Sequence, residues 1–425
     1  MYPLHTSTIA RLALALAVAV ALAITPSLGE VVLVEDDVGA LHVNTSDPAR
    51  QPVLLNGVDV AQLRARLEEH GAEIAAQERT LQSLCRWFPS TVDVTTITGT
   101  GAGELKWVGG VLAGNGLIYG IPFDAPAVLI IDPLTSTADA TSLVAVTESA
   151  HGGRWAGGVL GPNGLVYGMP HDADSVLVID PSTHDIDTTS IVVEMKTGAS
   201  STNTSKFLHA VLAPNDLIYG IPRSASAVLI LDPATNATDT TSIAGLGDME
   251  FKFSGGSTAS RVARGAPHVL IIDTATNTID TTAIAGFSAG VPKWRGGVLA
   301  NNGRIYGIPS GDRSVLIIDP ATDTADTTTI SNVPSNLYSW IDGVLASNGK
   351  IYSFPQRGAA VLVIDPATNT ADTTTLSVTN DGTSGNEGGG RGGQYKWWGG
   401  VRAGNDKLYS IPLGAENIAI VSPGC

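Results

Sequence analysis

The residues best suited to chemistry are two histidines and the charged side chains near them. His151 and Arg154 precede one tryptophan, and His171, Asp172 and Asp174 follow the next Met-Pro pair. Imidazole and carboxylate groups at this spacing could transfer protons or hold a divalent cation. Neither a His-Glu-x-x-His motif nor a phosphate loop accompanies them. They therefore predict a site only if the fold brings them to one place.

Further candidates emerge when seven copies of one phrase, each of about 46 residues, are compared with one another. The copies keep two short turns and vary the loop after Ile-Pro and the loop that leads into an aromatic residue. Fixed turns with varied loops at one end are typical of a binding surface. We predict a ligand-binding rim formed by His151, Arg154, His171, Asp172, Asp174, Arg223, Asp312, Arg313, Arg357, Trp107, Trp155, Trp294, Trp340 and Trp397.

Two other interpretations of this rim stay open. The tryptophans could pack one repeat against the next, and the loops could vary without any function. A rim that binds favours a polar ligand such as a glycan, with tryptophan rings as platforms. Clustering of the histidines with Arg154 and the nearby aspartates would instead favour an enzyme.

The elements that must position these residues are short strands. The consensus of the copies reads Trp-x-Gly-Gly-Val-Leu-Ala, an Asn-Gly turn, Ile-Tyr-Gly-Ile-Pro, Val-Leu-Ile-Ile-Asp and Asp-Thr-Thr-Thr-Ile. Asn-Gly is a strong hairpin signal, and four short strands in each repeat of this length predict a β-propeller. The first strand would lie innermost, where glycines relieve crowding at the axis.

The ends of the repeat array predict a closed ring. The seventh copy stops before its fourth strand, and Val92–Ile97 supplies a matching segment ahead of the first copy. We therefore predict an all-β, seven-bladed β-propeller over residues 90–425, closed by its N-terminal strand. The fourth copy, about residues 245–285, lacks the Asn-Gly turn and the Tyr-Gly pair, as a short blade or an error in the gene model would explain.

The two cysteines lie at the ends of this array. Cys425 falls at the turn before the missing strand, and Cys85 lies a few residues before the strand that replaces it. We predict a Cys85–Cys425 disulfide that fastens the ring. The alternative is that Cys85 cross-links subunits.

The segment Val-Leu-Ile-Ile-Asp-Thr-Ala-Thr-Asn-Thr-Ile, residues 269–279, resembles the repeat of YVTN-type propeller proteins. More loosely, the chain is similar to the propellers of virginiamycin B lyase-like proteins. The resemblance covers the third strand and its turn, so it implies a fold and no activity. No catalytic residue is carried over.

The first residues are typical of an export signal. Arg11 precedes an apolar run from Leu12 to Ile24, which is too short to span a bilayer, and Ser27-Leu28-Gly29 is a cleavage site. Residues 1–29 therefore predict a signal peptide and a secreted protein, with a signal anchor as the alternative. Three sequons, at Asn44, Asn203 and Asn236, predict glycosylation on the same route.

Between signal and propeller lie two further segments. Residues 30–57 show no clear period and predict an extended lead-in. Residues 58–86 predict a helix whose apolar positions, from Val60 to Leu84, follow a heptad pattern. This helix would associate with a second copy as a short coiled coil, or would pack alone on the side of the propeller.

Composition limits the partners. The net charge of −16 excludes a nucleic-acid binder, which needs a basic surface. We expect a secreted propeller that binds a glycan or protein ligand through its variable rim, without an organic cofactor and with a divalent cation left open. The alternative is a propeller enzyme, a lyase or hydrolase, with a site at the centre of the same face.

Overall fold

The computed structural model describes residues 31–35, 41–45, 54–55, 58–85, 88–145, 153–194, 205–247, 252–256, 260–263, 265–289, 293–334, 338–378 and 395–424. They form two compact units, one ending at Trp87 and one beginning at Phe88. The predicted signal peptide, His151, Asn203 and Cys425 lie outside the described residues. So do the side chains of Asn44 and Cys85.

The first unit contains two short hairpins and one helix. The hairpins pair β1 (Val31–Glu35) with β2 (Leu41–Thr45) and β3 (Leu54–Leu55) with β4 (Val58–Asp59). Helix α1 (Val60–Cys85) follows, and Arg64 pairs with Glu68 one turn later at 2.9 Å. Leu67 and Ile74, two positions of the predicted heptad seam, are 65% and 56% exposed. No helix among the described residues is long and apolar enough to span a membrane.

The second unit consists of four-stranded antiparallel sheets, and strand β5 (Thr91–Thr98) opens it. Three sheets follow: β6 (Trp107–Leu112), β7 (Ile118–Pro122), β8 (Leu129–Asp132) and β9 (Thr137–Asp139); β10 (Trp155–Leu160), β11 (Val166–Pro170), β12 (Leu177–Asp180) and β13 (Asp185–Asp187); β14 (Phe207–Leu212), β15 (Ile218–Pro222), β16 (Leu229–Asp232) and β17 (Ala237–Asp239).

The next three sheets have the same order: β18 (Phe253–Gly256), β19 (Ser260–Ala263), β20 (Leu270–Asp273) and β21 (Thr278–Asp280); β22 (Trp294–Leu299), β23 (Ile305–Pro309), β24 (Leu316–Asp319) and β25 (Thr324–Asp326); β26 (Val344–Leu345), β27 (Ile351–Ser353), β28 (Leu362–Asp365) and β29 (Thr370–Asp372). The degenerate fourth copy thus still pairs four strands, although β18 and β19 are short.

The closing sheet joins the two ends of this unit. It contains β30 (Trp397–Arg402), β31 (Leu408–Pro412) and β32 (Asn417–Ser422), and β5 pairs with β32, for example Thr91 with Ser422. Blades made of four consecutive strands therefore number six, and the predicted seven is reached only when the closing sheet is counted.

The innermost strands show that the sheets form a ring. Each first strand contacts the first strand of the next sheet in chain order, and β30 contacts β6. The prediction of an all-β propeller is confirmed. The apolar cores lie between neighbouring sheets, as expected when sheets pack face to face.

A latch of hydrogen bonds joins neighbouring sheets at the Asn-Gly turns. Asn405 Nδ2 donates to the hydroxyl of Tyr409 and to the carbonyl of Pro133, both at 3.0 Å, and so ties the closing sheet to the first. Five other copies form the equivalent bonds through Asn115, Asn163, Asn215, Asn302 and Asn348. The sequence of the fourth copy contains neither the asparagine nor the tyrosine, so this latch cannot form toward the fifth.

An aspartate on each outer strand accepts the backbone N–H groups of the second and third residues after it. In six sheets this aspartate ends the strand, and in the closing sheet Asp93 lies within β5. In the first sheet, Asp139 Oδ1 accepts the backbone N–H groups of Thr141 and Ser142 at 2.8 and 3.1 Å. The other sheets repeat these bonds at Asp93, Asp187, Asp239, Asp280, Asp326 and Asp372. The repeated Asp-Thr pairs are therefore structural.

These caps predict how stability depends on pH. Hydrogen bonds from hydroxyls and backbone N–H groups lower the pKa of Asp139, Asp187 and Asp326 to about 2, below the value of roughly 3.9 in an unfolded chain. The stabilisation is therefore present above about pH 4 and is lost as the pH falls toward about 2. We expect Tm to decline across that window, and the triple Asp→Asn variant to have a lower Tm near neutral pH and a flatter decline. Equal slopes in the two proteins would contradict the prediction.

Candidate functional site

One end of the ring is organised by backbone hydrogen bonds between neighbouring sheets. The N–H of Phe123, which follows the Ile-Pro of β7, donates to the carbonyl of Lys106 at 2.9 Å. The carbonyl of Phe123 then accepts the N–H of Arg154 in the next sheet at 3.1 Å. Equivalent bonds link Arg154 with His171 and His171 with Lys206. This ladder fixes the residues that follow each Ile-Pro around the axis.

We call this end the channel mouth. Outside the fourth copy, it comprises the residue after the proline that follows each second strand and the residue after each opening aromatic, namely Phe123, His171, Arg223, Ser310, Gln356, Leu413, Val108, Ala156, Leu208, Arg295, Ile341 and Trp398. Six of them, from five different sheets, pack in one buried apolar cluster: Val108, Ala156, Leu208, Ile341, Trp398 and Leu413. Side chains from so many sheets meet only at the axis, so they close the channel on one side.

A group of arginine and aromatic side chains adjoins this apolar cluster through Trp398. Arg295 is 5% exposed, and its guanidinium carbon lies 5.0 Å from the ring centroids of both Tyr338 and Trp398. Arg357 lies over the same Tyr338 ring at 5.3 Å and over Tyr395 at 4.4 Å. These five residues, Arg295, Tyr338, Arg357, Tyr395 and Trp398, form what we call the arginine–aromatic cluster. Cation–π contacts hold both guanidinium groups in place.

Three buried polar atoms beside this cluster have no hydrogen-bond partner among the described residues. They are Ser310 Oγ, Gln356 Oε1 and Trp398 Nε1, and their residues are 0%, 2% and 7% exposed. Tyr338 donates its N–H to the carbonyl of Ser310, and Gln356 is the neighbour of Arg357 in the chain. Buried polar groups are almost always paired, so each of these atoms is a candidate partner for a polar ligand.

The described part of the predicted histidine site centres on His171, and this histidine is fully engaged. His171 is 3% exposed, and its Nδ1 lies 2.9 Å from Asp172 Oδ1 and 3.0 Å from the carbonyl of Gly153. Its Nε2 accepts a hydrogen bond from Arg223 Nη1. Burial lowers the pKa of His171 despite the opposing hydrogen bond to Asp172. A neutral ring with both nitrogens bonded positions Arg223 and is poorly suited to act as a base.

The other predicted rim residues have different surroundings and do not form one site. Asp174 lies 3.8 Å from the Lys206 ammonium and is 77% exposed, whereas Asp312 caps the N–H of Ser314. Arg313 is exposed and Arg154 is half-buried. Only Arg357 belongs to the arginine–aromatic cluster. His151 lies outside the described residues, so its place in the ligand-binding rim stays a prediction.

The five predicted tryptophans lie between the sheets. They are 0–3% exposed, and each indole N–H donates to a backbone carbonyl 20 residues later at 2.8–3.0 Å. Their rings are therefore unavailable as ligand platforms, and the structure matches the alternative in which they pack one repeat against the next. The residues concerned are Trp107, Trp155, Trp294, Trp340 and Trp397.

Sequence comparison of the copies missed a pair on the axis. His209 and Asp342 occupy the position of the first glycine in Gly-Gly, and His209 Nε2 lies 3.3 Å from Asp342 Oδ2 although they belong to the third and sixth copies. Glycine is needed beside them, because a Cβ on Gly157 would lie 2.8 Å from the Cα of His209. The sequence did contain a signal for this pair, because the third and sixth copies are the two in which the first glycine of Gly-Gly is replaced.

Apart from Arg154, the residue before each opening aromatic was also missed. It is lysine or arginine in six copies, namely Lys106, Arg154, Lys206, Lys252, Lys293 and Lys396. Lys106 Nζ donates to the carbonyls of Gly101 and Ala415 at 2.8 and 2.7 Å, and burial lowers its pKa to about 8 despite the opposing effect of Glu416. This lysine fastens loops of neighbouring sheets.

Two chemical motifs find no support in this part of the chain. No group of three or more His, Cys, Asp or Glu side chains is placed to hold a metal ion within the described ranges. The sequence contains a Gly-x-Ser-x-Gly run at 286–290. Its described residues, 286–289, follow outer strand β21 in a loop and not in the strand-to-helix turn that a nucleophile elbow requires.

Comparison with known proteins supports the fold alone. No family model and no curated protein sequence matches the chain. Among solved structures it is similar to virginiamycin B lyase from Staphylococcus aureus, with a TM-score of 0.58, 10% identity, and 78% of this chain and 99% of that chain covered. It is also similar to a streptogramin B lyase structure, with a TM-score of 0.56, 9% identity, and 78% and 97% covered.

A third similar structure is an extracellular domain of a hybrid two-component system from B. thetaiotaomicron, with a TM-score of 0.52, 14% identity, and 77% of this chain and 42% of that chain covered. The predicted resemblance to virginiamycin B lyase-like propellers is confirmed as a likeness of fold.

Proposed function

We propose that the protein is a secreted, seven-bladed propeller that binds a glycan at the channel mouth. The observation that carries this proposal is the set of buried, unpaired polar atoms of Ser310, Gln356 and Trp398. Each such atom costs roughly 1–3 kcal/mol of folding free energy. Glycan hydroxyls donate and accept, so they match all three kinds of atom, and the rings of Tyr338 and Trp398 flank Arg295 in the same cluster.

The geometry favours binding over the enzyme hypothesis that used the predicted histidine. His171 is neutral and bonded through both nitrogens. The arginine–aromatic cluster, in contrast, offers fixed rings and hydrogen-bonding groups, which suit recognition of a polar ligand. Glycan is preferred to protein because the unpaired atoms are buried, so they suit a small polar group such as a hydroxyl.

Glycan-array binding, with and without added calcium, followed by calorimetry on the hits, tests the proposal. Gln356→Met keeps the shape of the side chain and removes Oε1. We expect it to weaken glycan binding at least about tenfold and to leave stability unchanged or higher, because an unpaired buried atom is removed. Gln77→Met, at an exposed position of α1, is the matched control. An array without hits, or unchanged affinity in Gln356→Met, would overturn the proposal.

Secretion and the disulfide are part of the same proposal. Gly424 lies against the backbone of Phe88–Ser90, since a Cβ there would meet the Phe88 oxygen. This supports a Cys85–Cys425 bond, because each cysteine is at most three residues from this contact. Asn236 lies on an exposed turn, as a glycosylation site requires. Peptide mapping of the exported protein under non-reducing conditions should identify the disulfide and a new N-terminus near residue 30; free thiols would refute the former.

Self-association through α1 is a further part of the proposal, with a second copy of the helix as the partner. Leu67 and Ile74 recur at heptad spacing and are more than half exposed, so pairing would remove apolar surface from water. We expect Leu67→Asp to lower the molar mass measured by light scattering to that of one chain. Arg66→Asp, beside it and off the seam, is the control. A monomeric wild-type protein would contradict this prediction.

A further inference from the structure

We propose that the glycan bound at the channel mouth is acidic, and that Arg357 receives its carboxylate. This inference rests on the proposed function and adds the chemical class of the ligand. It is carried by the arrangement of charge and hydrogen-bonding groups in the arginine–aromatic cluster.

Arg357 presents a guanidinium that is fixed and accessible. Its Nη2 donates to the hydroxyl of Tyr395 at 2.8 Å, and its carbon lies over two tyrosine rings. The residue is exposed, and none of the ion pairs among the described residues involves it. Because a guanidinium has five N–H donors and only one is used here, its planar edge can take a carboxylate with two parallel bonds.

Tyr338 connects Arg357 to a second, buried guanidinium. Its ring centroid lies 5.0 Å from the guanidinium carbon of Arg295 and 5.3 Å from that of Arg357, so both arginines pack on one ring. The exposed guanidinium of Arg357 attracts an anion at short range, and bulk salt screens that attraction.

The three unpaired buried atoms limit which kinds of anion could bind, because each requires a particular hydrogen-bonding group on the ligand. Trp398 Nε1 can only donate, Gln356 Oε1 can only accept, and Ser310 Oγ can do both. The ligand must therefore carry acceptors and hydroxyl donors together. A sulfate or acetate ion offers no donor, and a neutral sugar offers no charge for Arg357. A sugar acid supplies the carboxylate, the hydroxyls and an apolar ring face for the aromatic side chains.

The test uses oligosaccharides of glucuronic, galacturonic, mannuronic and guluronic acid, each beside its fully methyl-esterified form. We expect at least one acid to bind the full-length protein about tenfold or more tightly than its ester, and this advantage to shrink as salt rises. Arg357→Gln should abolish the difference between acid and ester, and Arg357→Lys should restore part of it. Arg402→Gln is the matched control, because Arg402 pairs with Asp406 by the Asn-Gly-type turn at the opposite end of its strand.

Each result decides a different claim. Equal binding of acid and ester, or binding of neutral glycans alone, would overturn the acidic ligand and leave glycan binding in place. An acid preference that survives Arg357→Gln would overturn the role of this arginine. Absence of binding to every glycan, acidic or neutral, would overturn both this inference and the proposed function.

Discussion

Replacing Ile97 with Asp should prevent the propeller from folding. Ile97 belongs to β5, is 2% exposed, and packs in one core with Trp107 and Ile418. The substitution removes a buried aliphatic side chain and places a carboxylate in its position. The combined loss exceeds about 5 kcal/mol, which is comparable with the stability of a typical protein. The strand it disrupts also joins the two ends of the ring.

Thr98→Asp is the control for this result. Thr98 is the next residue of the same strand and is exposed, so its substitution adds the same charge without entering the core. We expect Thr98→Asp to keep the circular-dichroism spectrum and the denaturation midpoint of the wild type. We expect Ile97→Asp to be insoluble or to lack a cooperative transition. A folded Ile97→Asp protein with a normal midpoint would show that β5 does not hold the ring.

Truncating Tyr409 should have the second-largest effect. Tyr409 is 0% exposed; its hydroxyl accepts from Asn405 and donates to the carbonyl of Pro133 at 3.3 Å. Tyr409→Ala removes the ring and both bonds, which should lower the free energy of unfolding by about 3–5 kcal/mol or more. Tyr409→Phe keeps the ring and removes only the hydroxyl, for about 1–3 kcal/mol.

The two variants together separate packing from the latch. Urea denaturation followed by tryptophan fluorescence gives both midpoints. Similar losses in Tyr409→Ala and Tyr409→Phe would show that the hydroxyl carries the effect and the buried ring carries little. No loss in Tyr409→Phe would show that the bond to Pro133 does not stabilise the junction of the closing and first sheets.

Features that most copies share were predictable from the sequence. The strands recur along the array, the Asn-Gly or Asn-Asp turn recurs in six copies, and the incomplete seventh copy points to the closing strand β5. The same regularity misled the prediction of ligand platforms. Tryptophans such as Trp294 recur in five copies because they fill a sheet interface and donate to a backbone carbonyl, and a ring in that position is buried.

The candidate site was harder to predict because it depends on copies that differ. Arg295 and Trp398 stand where other copies have apolar residues, and Tyr338 lies in a variable loop. His209 and Asp342 meet although about 130 residues separate them. Only the positions of the sheets around the axis show which exceptional residues face one another. A search for departures from the repeat would have found the residues, but not their contacts.

The composite sheet also has a consequence for biosynthesis. β5 emerges from the ribosome before every other strand of the propeller, yet its partner β32 follows about 320 residues later. Until then the early strand remains unpaired, with open edges that invite wrong partners. A chain cut short anywhere in the array lacks that partner and cannot become a circle. Closure of the ring therefore requires β32, so only complete translation products reach the compact state.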